Sequence, residues 1–325
     1  MIGLLLALSL AATSPSSCKF EGEPRTWTEG ALEAWDRLDR DRIQVAKPTT
    51  PTLILFDEAC VYRFTPDMDG DFRAGGRAYA VRSEGHPGTV ELPGGRQVPA
   101  RKLSFAAPAD GGDMFFVMSL PAIWRADEAE GRDPDLLAMV VFMHEFAHTQ
   151  QGAGLGRRID DLISRGLPEN TDDDSLQNSW SGNEGYVAAY ESERDLFYEA
   201  ASAQRPTDQR RLLTQAAAAV ASRRHAYLGD ELLWQKADDV FLTFEGTGNW
   251  AAWTWLTDPR GGAMSRQAAT EFVRGGRRWW SQDEGLGIML ALDALLPEWP
   301  THAFGDPGMT AADLIALALG ADPDR

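Results

Sequence analysis

Between Asp133 and Gln151 the chain reads DPDLLAMVVFMHEFAHTQQ, an apolar run holding two histidines four residues apart and a glutamate beside the first. Asp133 is a good N-cap and Pro134 suits the first helical position. Nothing from Leu136 to Phe146 breaks a helix, so the stretch is expected to be helical. Residues four apart share a helix face, so His144 and His148 can offer ring nitrogens to one metal ion. Glu145 lies about 100° further round the axis, within reach of a water on that ion. The helix is apolar nearly all round, which implies burial. Two imidazoles and a carboxylate buried together are costly without a partner, and a cation supplies one. Zinc catalysis has the same needs: protein ligands that leave one position open, and a carboxylate that takes the water's proton and later returns it.

The remainder must build around that helix. A chain of 325 residues that is 43% hydrophobic can bury a substantial core, in one large or two ordinary domains. Its net charge of -18 argues against a nucleic-acid partner and against docking on an anionic membrane. The N-terminal stretch 1–17 has an apolar segment from Ile2 to Leu10 followed by small residues, too short to span a bilayer but suited to a signal peptide. Export to the periplasm or the extracellular space is the expectation; a lipid anchor on Cys18 is the less favoured alternative, because Pro15-Ser16-Ser17 leads poorly into a lipidated cysteine. In an exported protein the two cysteines, Cys18 and Cys60, are expected to pair.

Residues Thr28 to Arg40 read as a short amphipathic helix with Leu32, Trp35 and Leu38 as its stripe. After Pro48 and Pro51 the texture turns to strands: Thr52 to Phe64, Ala78 to Arg82, Thr89 to Leu92, Lys102 to Phe105 and Met114 to Leu120. Gly152 to Ser181 reads as a long loop, of the kind that forms lids or specificity elements, and its Asp172-Asp173-Asp174 run as solvated. Helices are predicted at about 184–203, 207–228 and 230–244, with another after Gly246, then Leu286 to Leu296 and Ala311 to Leu319. The fold class expected is α+β. Its parts are a β-rich stretch 18–151 that ends in the His-Glu helix, and a mainly α-helical stretch 152–325 that supplies a third metal ligand.

The HEFAH pentad resembles the active-site helix of zincin metallopeptidases. The metzincin extension is absent, since Gln151 and Gly154 stand where its glycine and last histidine would be. The resemblance is therefore to the gluzincin branch, where a carboxylate from a later helix completes the site. Three candidates could supply it: Glu184; the pair Glu191 and Glu193, where Glu191 to Asp195 fits an E-x-x-x-D spacing; and Glu245. Glu245 is favoured, because EGTGNW resembles the E-G-x-A-x-Y element of aminopeptidase N-like gluzincins. Gly246 and Gly248 would allow close approach to the pentad helix, and Asn249 could accept a hydrogen bond from one histidine.

What the resemblance implies is a zinc metallopeptidase with a β-containing N-terminal part and a helical C-terminal part. His144, His148 and Glu245 would hold Zn2+, with Glu145 as general base and acid. Peptides or proteins are then the expected substrate, and Phe115 to Leu120 the candidate edge strand beside the cleft. A donor for the oxyanion is also needed. His225 and Tyr227 are the candidates carried forward, Trp280 standing where some zincins have a tyrosine. Two other classes stay open: a zinc-binding interaction protein without catalysis, and a glycan hydrolase using a carboxylate pair such as Glu191, Glu193 or Asp195 with tryptophan stacking.

Overall fold

A computed structural model of the chain describes residues 18–109, 112–127 and 131–320. The 1–17 stretch read as a signal peptide lies outside the described residues. The architecture is mixed α+β.

Helix α1 (Glu23–Leu38) opens the described chain and buries Leu32, Trp35 and Leu38. The strands follow: β1 (Thr52–Phe56), β2 (Cys60–Pro66), β3 (Phe72–Ala74), β4 (Arg77–Gly85), β5 (Thr89–Glu91), β6 (Gln97–Pro99), β7 (Ser104–Pro108) and β8 (Met114–Ser119). Six of them form one sheet in the order β3-β4-β2-β1-β8-β7, while β5 and β6 make a separate hairpin. Only the β1–β8 pairing in the large sheet is parallel, with Ile54 opposite Val117. The stretch expected as one strand from Thr52 to Phe64 is broken by a turn, in which Asp57 Oδ1 accepts from the backbone N–H groups of Ala59 and Cys60. The side chain thus does what a backbone turn would do.

Because side chains alternate along a strand, both faces of the central strands are buried. Leu53, Leu55, Phe116 and Met118 face the helices and join the main core. Ile54, Phe56, Phe115 and Val117 face Val90 and Leu92 around the β5–β6 hairpin. The expectation that Phe115 to Leu120 forms the edge is corrected: β8 lies between β1 and β7, and β7 is the edge strand on that side, with β3 at the opposite edge. Strand order is set by long-range pairing, which local periodicity does not encode. A disulfide joins Cys18 to Cys60, tying the segment before α1 to the start of β2.

A short α2 (Pro121–Ala126) leads to α3 (Pro134–Gln151), the His-Glu helix. Asp133 caps it, accepting from Asp135 N at 3.0 Å and Leu136 N at 3.2 Å. Phe142 and Phe146 pack on Phe116 of the sheet, and Trp35 of α1 packs on Phe146. The segment expected as a loop holds a wide turn at Gly152–Gly156, then α4 (Arg157–Ser164) and α5 (Ser175–Trp180). Its Leu155, Leu162 and Leu167 share a small core with Ala237 and Val240, so this stretch is part of the packed body.

Next come α6 (Glu184–Ser202), α7 (Pro206–Arg223) and α8 (Leu232–Thr257). The break expected before Gly246 does not occur; α8 runs on for 26 residues. A β-carbon on Gly246 would come within 2.6 Å of the backbone of Gly285, so this glycine is where α8 and a later helix cross at close range. That helix is α10 (Trp280–Leu295), which follows α9 (Arg266–Arg274) and precedes α11 (Trp299–Ala303) and α12 (Ala311–Ala318). The glycine's intrinsic cost in a helix, about 1 kcal/mol, is offset by the packing it permits.

Candidate metal centre

Three side chains from two helices, two of them buried and His148 half-buried, meet between α3 and α8. His144 and His148 project from one face of α3, and Glu245 from α8 comes to both. The two Nε2 atoms are 3.1 Å apart; Glu245 Oε2 is 3.2 Å from His144 Nε2, and its Oε1 is 3.5 Å from His148 Nε2. Among the described residues this is the one group of three or more His, Cys, Asp or Glu side chains that can hold a metal ion. Gly248 makes room for it. A β-carbon there would sit 2.9 Å from the His144 ring. Of the two glycines read as clearing space for α3, Gly248 does so and Gly246 serves α10 instead.

The hydrogen bonds behind the rings fix their protonation. His144 Nδ1 is 2.9 Å from Oδ1 of Asn249, whose Nδ2 donates to the Gln282 carbonyl at 3.0 Å. His148 Nδ1 is 3.3 Å from Oε1 of Gln151, whose Nε2 donates to Thr247 Oγ1 at 2.7 Å. Thr247 spends its own proton on the Phe244 carbonyl. Each amide is thereby oriented with its oxygen toward an imidazole, so each ring donates from Nδ1. Both Nε2 lone pairs then point at the same place as the Glu245 carboxylate. Such an arrangement repels itself unless something positive stands between the three, and outer hydrogen bonds of this kind are what orient metal-ligating histidines.

Electrostatics carry the same message. Burial works against a charge on His144, but the hydrogen bond and negative charge of Glu245 outweigh it and lift the ring to about 9. His148 is lowered to about 4 by burial, with His144 adding to the effect. Burial opposes ionisation of Glu245 too, yet the two histidines hold its carboxyl below the usual range. Without a metal, then, one proton on His144 serves the whole group. A divalent ion would supply twice that charge to all three.

Glu145, half-buried beside His144, is pushed up to about 7 by burial and by the charge of Glu245; the backbone N–H of Ala106 in β7 works the other way. That bond brings the free edge of the sheet against the site. A cleft of about 730 Å³ opens here, and His144, Glu145, Asn249 and Gln282 lie along it. Its apolar wall is formed by Leu137, Val140 and Val141 of α3, opposite Phe272 and Val273 of α9.

The structure places the other candidates elsewhere. Glu184 and Glu191 are exposed on α6. Glu193 is fully buried and ion-paired with Arg223, which also reaches Asp238 at 3.0 Å. Asp195 is exposed and pairs with Arg194. His225 is exposed and lines a different cavity, between α7, α8 and α12. Tyr227 packs on Trp180 and Tyr186. Neither His225 nor Tyr227 is among the residues lining the cleft over the triad. Trp280 is stacked between Tyr186 and Tyr190, and it is Trp279 that faces the cleft. Asp173, read as solvated, is half-buried, and burial followed by the charge of Glu245 pushes its carboxyl up to about 7.

Sequence reasoning overlooked Gln151 as the residue that orients His148, although its position three residues on along the same helix was a usable signal. It overlooked Gln282 as well, whose side chain also bonds Glu245. Its place on α10 gave no local sign.

Fold and site together define a mixed α+β protein with a buried His-His-Glu group, able to hold a metal ion, beside a cleft that His144 lines. No family, no curated protein and no solved structure that was compared matches the chain.

Proposed function

We propose that the protein is an exported zinc-dependent peptidase of the gluzincin kind. The observation that carries this reading is the spacing of the three ligand atoms. Zinc with nitrogen and oxygen ligands about 2.0–2.1 Å away in a tetrahedron sets neighbouring donors about 3.3 Å apart. Here the separations are 3.1, 3.2 and 3.5 Å. Two neutral imidazoles and a carboxylate also form a donor set suited to zinc.

His144, His148 and Glu245 would hold zinc, which would supply Lewis-acid chemistry and lower the pKa of a water there. Glu145 takes the proton from the attacking water and carries it to the leaving amine. His144 and His148 are held as Nδ1–H tautomers by Asn249 and Gln151, which keeps their Nε2 atoms available. β7 presents its unpaired edge next to Glu145, so an extended peptide laid along it would bring its backbone past the triad. The disulfide between Cys18 and Cys60 favours an oxidising compartment. No helix among the described residues is long and apolar enough to cross a membrane.

The test is metal analysis and a peptide-library digest of wild-type and Glu145→Gln protein side by side. Stoichiometric zinc in both, cleavage by the first and a loss of about 10²–10⁴-fold in the second are expected. Equal turnover by both, or full cleavage after zinc is stripped by a chelator, would overturn the reading.

A further inference from the structure

The cleft over the triad is far less acidic than the chain as a whole. The protein carries a net charge of -18, yet the cleft is lined by Arg132, Arg274 and Arg278 against Glu145 and Glu271. Arg274 is committed: it bonds both oxygens of Asp283, at 2.7 and 3.2 Å, and lies 4.0 Å over the Tyr198 ring. Arg278 is held differently. Its guanidinium lies 4.6 Å from the centre of the Trp279 ring, and the carboxylate its charge acts on is Asp174, with no ion pair between the two. Arg132, which has a partner of its own, lies over Phe272 at 5.6 Å. Both supporting rings line the same cleft.

A guanidinium laid on a ring is fixed in orientation while its edge N–H donors remain outward. The group that fits such a fork is a planar carboxylate, held by two parallel hydrogen bonds. Long polyanions are disfavoured, because they would have to run on across an acidic surface. A peptide with one carboxylate meets only the local charge.

We propose that the cleft selects peptides bearing a carboxylate, which Arg278, seated on Trp279, receives at the rim. This rests on the peptidase reading and names its substrate class. The carboxylate has two possible sources, an acidic side chain or a free C-terminus, and the chemistry of recognition is the same for both.

The test reads binding rather than turnover. Fluorescein-labelled hexapeptides of alanine and leucine are titrated by anisotropy into zinc-loaded Glu145→Gln protein in three forms: C-terminal amide, free C-terminal carboxylate, and amide with one internal glutamate. At least one carboxylate-bearing form is expected to bind about tenfold more tightly than the plain amide, and which one does so identifies the source. Arg278→Ala should abolish the preference and Arg278→Glu should reverse it. Arg157→Ala, which removes a surface arginine paired with Asp306, should leave it intact. Equal binding of all three forms, no binding of any, or a preference that survives both Arg278 changes would overturn the proposal. Because the protein used is disabled at Glu145, failure of the wild type to cleave would count against the peptidase reading and leave this result to stand by itself.

Discussion

His144 Nδ1 lies 2.9 Å from Oδ1 of Asn249, one turn beyond Glu245 on the same helix. A single helix therefore brings both one member of the His-His-Glu group and the side chain that orients another. Asn249→Ala is expected to weaken zinc binding by about 10–100-fold, measured by competition with a chelator. Asn249→Asp, a stronger acceptor, should bind zinc at least as tightly as the wild type.

Gly246 and Gly248 are two residues apart and should fail in different ways. A methyl group at Gly248 meets the His144 ring at 2.9 Å, and at Gly246 it meets the Gly285 backbone at 2.6 Å. Gly248→Ala should mainly erase the gain in thermal stability on adding zinc. Gly246→Ala should destabilise the metal-free and zinc-loaded forms alike, by about 1–3 kcal/mol, since the α10 backbone has no rotamer with which to yield. Unfolding of each variant with and without zinc separates the two.

A buried acidic cluster away from the metal centre should give stability a falling slope with pH. Burial pushes Glu193 up to about 7 and Glu284 well above its ordinary value; Arg223 opposes this for both. Asp238 and Arg224 complete the cluster. The folded state thus holds protons that the unfolded chain gives up near the usual carboxylate range of about 4–4.5. The contribution is fully present below that range and is lost as pH rises through about 7 and beyond. Asp238, whose pKa is lowered, contributes in the opposite sense and loses its part in acid. Glu284→Gln should flatten the slope between pH 5 and 8 in denaturant titrations.

Reduction of the disulfide, or Cys18→Ser with Cys60→Ser, should destabilise the fold by about 4 kcal/mol on the loop-entropy estimate for a separation of 42 residues. Urea unfolding with and without a thiol reductant measures this. A shift under 1 kcal/mol would show that the tether contributes little.

The sequence made α3 legible because every local signal agreed: Asp133 as cap, Pro134 behind it, and an unbroken apolar run carrying both histidines. Glu245 was reachable only through the resemblance of EGTGNW to a known element, since nothing periodic distinguishes it from other acids on helices. The continuity of α8 was hidden because two glycines read as a break when their partners, Gly285 and the His144 ring, are unknown. Strand order was equally out of reach: β7 and β8 each look like short strands, and only pairing with β1 decides which is outermost. His225 and Tyr227 were candidates by residue type alone, and the wide turn Arg224–Leu228 that follows α7 carries them to other surroundings.

β7 ends in Pro108, a residue with no N–H to donate. The outward backbone groups of this strand can therefore continue a ladder past Ala106 in one direction only. Any guest chain has its register limited on one side, and a second sheet of the same kind finds no continuous row of donors on which to grow. One imino acid thus leaves the margin of the sheet uncovered while discouraging copies of the protein from stacking there.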